Sequence, residues 1–113
     1  MVETAPIYII DDDDDDQEFI TEIFKELQIT NKLCFFKNGK DVLAHLKNLE
    51  SRPFLILYDV NIPVMNGFEL RKILLDDKDL VYKTVPFIFW STFASNAQIK
   101  RAYDLSVHGF FIK

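Results

Sequence analysis

Hydrophobic positions along the chain alternate between two rhythms. Short, nearly unbroken apolar runs occur at Pro6–Ile10, Lys32–Phe36, Phe54 up to Asp59, Pro86–Trp90 and Val107–Ile112. Continuous runs of this length bounded by turn residues are the pattern of strands buried on both faces, the habit of parallel sheets. Between them the apolar residues recur at helical spacing. Phe19, Ile20, Ile23, Phe24 and Leu27 mark a first helix, and Val42, Leu43, Leu46 and Leu49 a second. Phe68, Leu70, Ile73 and Leu74 mark a third, ending near Asp76 in a polar loop through Thr84, and a fourth spans Asn96–Leu105. Turn chemistry separates the elements: Asn38-Gly39, Ser51-Arg52-Pro53, Pro63 and Asn66-Gly67. Strand-then-helix repeats joined by short connections predict an α/β fold, a doubly wound five-stranded parallel sheet with right-handed crossovers. The whole of residues 1–113 is expected to form one domain, with Met1–Ala5 as a loose end.

Composition narrows the function classes. The net charge of −5 and the absence of a concentrated basic face argue against a nucleic-acid partner. No apolar run approaches the roughly 18 residues of a membrane helix, so a soluble, cytoplasmic protein without a membrane partner is expected. The single cysteine, Cys34, lies in an apolar stretch and reads as a buried thiol.

The polar residues at the strand tips carry the candidate chemistry. The third apolar run stops abruptly at Asp59, which hangs in the loop before a helix, at the sheet edge where open α/β folds bind ligands. The first run is followed by six aspartates, Asp11–Asp16. Such a run is usually a solvated, self-repelling segment, but here it is wedged between a strand and an amphipathic helix. Asp14–Asp16 fall where helix-capping and first-turn residues belong, which leaves Asp11 and Asp12 without a capping role. Ser91 stands at the tip of the fourth strand and Lys113 at the tip of the fifth. Neighbouring strands lie about 4.8 Å apart, so adjacency of these four tips would gather three carboxylates, a hydroxyl and an ammonium. The second strand brings only Phe35, Phe36 and Lys37, which suits an edge position.

The pieces I-Y-I-I-D-D ending at Asp12, L-Y-D-V-N-I-P-V-M-N-G from Leu57 to Gly67, P-F-I-F-W-S-T from Pro86 to Thr92 and G-F-F-I-K from Gly109 to Lys113 resemble the receiver domain of two-component response regulators. They span nearly the whole chain in that family's order. The resemblance implies a flavodoxin-like sheet of strand order 2-1-3-4-5. It implies that Asp59 is the phosphoacceptor, receiving a phosphoryl group from a sensor histidine kinase or a histidine phosphotransfer protein. Asp11, Asp12 and Asp59, with the Asn61 backbone carbonyl, would hold Mg²⁺, an ion that takes oxygen ligands and keeps several waters. Without a cation, each close carboxylate pair costs on the order of 4 kcal/mol at an effective dielectric near 20, so one carboxyl would titrate unusually high. Lys113 would pair with Asp59 or a phosphoryl oxygen. Ser91 would turn its hydroxyl to the phosphoryl group and Phe110 would move inward, changing the surface around the fourth helix and fifth strand for a downstream protein. Asn61 and Phe93, each two residues past a site residue, overlook the phosphoryl position and are expected to tune its lifetime.

The family continues past the position of Lys113 with a proline and a fifth helix, which is missing from this chain. Its absence would bare apolar surface on the first helix and last strand, making a homodimer a further expectation. Three rival readings compete. An EF-hand loop would use Asp11, Asp13, Asp15 and Glu22, but Asp16 replaces the required glycine and a strand precedes the loop. A haloacid-dehalogenase-like phosphatase would use Asp11 and Asp13, but Asp15 stands where that family has Thr or Val, and 113 residues are too few for it. A receiver-shaped interaction module that is never phosphorylated is the third. His45 and His108 are expected to pack or face solvent, without a relay role.

Overall fold

The computed structural model describes residues 5–48, 52–62, 65–84 and 86–113. The expectations placed on Met1–Thr4, Leu49, Ser51 and Pro63 lie outside these residues. Five strands, β1 (Ile7–Ile10), β2 (Leu33–Phe36), β3 (Leu55–Asp59), β4 (Phe87–Ser91) and β5 (Gly109–Ile112), pair in parallel in the order β2-β1-β3-β4-β5. Register runs Ile10 beside Tyr58, Asp59 beside Trp90 and Ser91 beside Ile112, so the tips of β1, β3, β4 and β5 end at one level.

The helices are α1 (Asp14–Glu26), α2 (Gly39–Leu46), α3 (Gly67–Leu75), α4 (Lys78–Lys83) and α5 (Asn96–Asp104). Each begins where a side chain satisfies its free amides. Asp13 accepts from the amides of Asp15 and Asp16, and Asn38 from that of Asp41. Asn66 with Glu69, and Ser95 with Gln98, form reciprocal capping pairs at α3 and α5.

Helix α4 corrects the polar loop expected between Asp76 and Thr84. Only one of its residues, Leu80, is buried, so the segment has no apolar period to betray it. Three contacts hold it instead: Asp77 caps it, Thr84 Oγ1 donates to the Leu80 carbonyl, and Lys83 Nζ donates to the carbonyls of Leu46 and Asn48 past α2. Among the described residues no helix follows β5, and none is long and apolar enough to cross a membrane.

The two faces of the sheet are covered unequally. One packs Tyr8, Ile10, Ile56, Tyr58, Phe87 and Phe89 against α2, α3, α4 and α5 through residues such as Val42, Leu70, Leu80 and Ala102. The other sets Ile7, Ile9, Leu57 and Trp90 against Ile20 and Phe24 of α1. This second face keeps an apolar groove of about 460 Å³ between α1 and the β4–β5 edge, and Phe19, Leu27, Phe111 and Ile112 around it stay more than half exposed.

Buried Arg71 of α3 closes the other end of α5. The helix ends with Ser106 in the left-handed region (φ 59°), and the Val107 amide returns to the Ala102 carbonyl. The carbonyls so exposed, Leu105 and Ser106, accept from Arg71 Nε at 3.0 Å and its Nη2 at 2.9 Å. His45 stacks edge-on against Tyr8 at 5.3 Å, and His108 Nδ1 accepts from the Phe87 amide at 2.9 Å. Cys34 is half-buried and free.

Candidate functional site

Three strand tips and the first turn of α1 converge on one ammonium. Asp11 leaves β1 fully buried, its Oδ1 accepting the Asp13 amide at 2.9 Å. Asp59 ends β3, its Oδ1 accepting the Asn61 amide at 3.0 Å. Lys113 follows β5, placed by its own amide on the Ser91 carbonyl at 2.7 Å. Its Nζ donates to Asp11 Oδ2 at 3.0 Å, Asp59 Oδ2 at 2.9 Å and Asp16 Oδ2 at 2.5 Å, and lies 4.5 Å from the centre of the Trp90 ring.

The electrostatics follow from burial and pairing. Burial raises the Asp11 carboxyl against the pull of the Asp13 amide and Lys113, and the neighbouring Asp59 adds to the rise, leaving it pushed up to about 6. Burial also opposes the Lys113 charge. Hydrogen bonds to Asp16, Asp59 and Asp11 more than offset this, and the ammonium sits above its ordinary range. The cation is therefore held charged among three acids.

Asp11, Asp16 and Asp59 each offer an oxygen within 4.8 Å of the others. Asp12 is exposed and stands outside this group, while Asp16 stands inside it. The inward turn of Asp16 has a sequence signal. With Asp13 as N-cap, Asp16 lies one turn before buried Ile20 and two before Phe24, on the stripe of α1 that faces the sheet.

On the far side of Asp59, Asn61 Nδ2 donates to Ser91 Oγ at 2.5 Å, and Ser91 Oγ donates to the Phe93 carbonyl at 2.7 Å. Phe93 is 71% exposed. Phe110 is half-buried, edge-on to Phe89 at 6.0 Å. A buried carboxylate pair beside a buried ammonium, at the carboxyl edge of a parallel sheet, offers the oxygen ligands a hard cation takes at the place where such sheets bind ligands.

Residues 7–113 match the response regulator receiver domain family. The response regulator Rcp1 of Synechocystis is 26% identical, the match covering 95% of this chain and 75% of Rcp1. A probable methanogenesis regulatory protein of Methanothrix harundinacea, FilR2, is 25% identical over 95% of this chain and 70% of its own. The crystal structure of the phosphorylated cyanobacterial phytochrome response regulator RcpA superposes with a TM-score of 0.86 at 26% identity, covering 98% of this chain and 81% of that one. The chain belongs to the response regulator receiver domain family, and its acidic cluster fits the phosphoacceptor site of such a domain. Receiver domains are signalling modules that accept phosphoryl groups from histidine kinases.

Proposed function

We propose that the chain, as a single receiver domain over residues 1–113, switches by phosphorylation of Asp59. The observation that carries this reading is the convergence of Asp59 with Asp11 and Lys113 at one sheet edge. A carboxylate oxygen of Asp59 attacks phosphorus, and the bond from phosphorus to the donor's imidazole nitrogen breaks with its electron pair leaving on the donor. Lys113, charged and nearly buried, follows an oxygen of the incoming phosphoryl group as a point charge.

The donor set suits a hard divalent cation, since the acids converge as oxygens and Asp11 is destabilised as an anion. Asp11 and Asp59 of that group, with exposed Asp12 beside it and the Asn61 backbone carbonyl, are the proposed ligands of Mg²⁺, which would supply charge neutralisation for the transferring group. The response regulator Rcp1, similar at a TM-score of 0.84, has been solved in an Mn²⁺-bound form, which supports a divalent cation as a ligand of this chain. Ser91 then turns its hydroxyl from the Phe93 carbonyl toward the phosphoryl group. Phe110 fills the space behind it, and the surface of α5 and β5 changes for a downstream protein. The donor is a sensor histidine kinase or histidine phosphotransfer protein in the cytoplasm, and neither nucleic acid nor membrane is a partner in this reading.

Incubation with acetyl phosphate and Mg²⁺, followed by intact mass, tests it. Wild type gains one phosphate and Asp59→Asn gains none. A wild type that stays unmodified would leave the rival reading, an interaction module that is never phosphorylated.

A further inference from the structure

Lys113 has three N–H bonds to give, and Asp11, Asp59 and Asp16 take all three. The acceptors differ in what else they must do. Asp11 and Asp59 each have one oxygen pinned by a loop amide and the other on Lys113. Under the function proposed above these are the oxygens that a metal ion and a phosphoryl group require. Asp16 comes from a helix rather than a strand tip, and its side chain is 24% exposed against 0% for Asp11.

We propose that Asp16 is the positioning residue for Lys113, holding the ammonium at the edge of the site while Asp11 and Asp59 exchange it for a divalent cation and phosphoryl oxygens. A cation arriving at Asp11 and Asp59 competes with the ammonium for the same oxygens. An ammonium whose side chain is 8% exposed cannot be set free without a partner except at a desolvation cost. Asp16 removes that cost, because Lys113 yields two bonds and keeps the third. With Asp16 neutralised, the ammonium leans wholly on Asp11 and Asp59, and a metal ion must displace it from both.

The chain carries its own reporter. Trp90 is the single tryptophan, and Lys113 Nζ lies 4.5 Å from the centre of its ring, so movement of the ammonium changes the indole's surroundings.

A double-mutant cycle separates positioning through Lys113 from direct ligation by Asp16. Mg²⁺ affinity is measured by calorimetry and by Trp90 emission in wild type, Asp16→Asn, Lys113→Met and the double variant, with Lys113→Gln as a second neutral replacement. Asp16→Asn is expected to weaken Mg²⁺ binding about three- to tenfold when Lys113 is present and less than about twofold when it is replaced. Asp16→Glu is expected to bind like wild type. Equal weakening in both backgrounds, or none in either, overturns the inference. Wild type that binds no Mg²⁺ overturns the reading of the site as well, so the two failures are distinguishable.

Discussion

Asn61 Nδ2 donates to Ser91 Oγ across 2.5 Å, joining the loop after β3 to the tip of β4 on the open side of Asp59. The bonded pair fixes the backbone of Phe93, whose carbonyl accepts the Ser91 hydroxyl while its ring stays in solvent. A ring so exposed is not held by the core, and under the function proposed above it would shade Asp59 from the water that attacks its phosphorylated form. Phe93→Ala and Phe93→Glu are therefore expected to shorten the life of the phosphorylated form about two- to tenfold, less than the roughly 10²- to 10⁴-fold of a positioned general base because only the access of water changes. Decay followed by intact mass checks this, and unchanged decay in both variants removes the shielding role.

Asp11 gives a stability signature in pH. Its carboxyl titrates near 3.8 in an unfolded chain and at about 6 in the fold, so the folded state binds the extra proton between those values. The contribution of this group is fully present below 3.8 and is lost as pH rises through about 6. Asn cannot ionise. Asp11→Asn is expected to gain on wild type by about 2 kcal/mol between pH 4 and pH 7. Urea midpoints of both proteins across that range would show it, and parallel curves would refute it.

Arg71 is a buried cation with no acid paired to it among the described residues. Burial lowers its pKa, and its stabilising contacts are the Leu105 and Ser106 carbonyls and the face of Phe87 at 5.2 Å. Arg71→Met keeps the bulk but leaves two helix-end carbonyls bare, a cost of about 2 kcal/mol. The loss is moderated because Arg71 Nη1 has no hydrogen-bond partner among the described residues to forfeit. A fall in urea midpoint, with faster amide exchange at Val107 and His108, is expected; an unchanged midpoint would show that water replaces the guanidinium.

The number and parallel direction of the strands were legible in the chain itself, whereas their order β2-β1-β3-β4-β5 was implied by the resemblance to the receiver family. A strand buried on both faces must be apolar along its length, so the first polar residue after each run, Asp11 or Asp59, marks the edge where backbone and solvent meet. The phosphoacceptor candidate, the hydroxyl and the lysine were found because each ends such a run. Helix α4 was not legible, because it is held by a cap, by one leucine and by Lys83 reaching carbonyls 37 and 35 positions earlier in the chain. The choice between Asp12 and Asp16 belongs to tertiary structure in the same way. Six identical side chains carry no chemical distinction, and the stripe through Ile20 points to Asp16 only once Asp13 caps α1, which the fold decides.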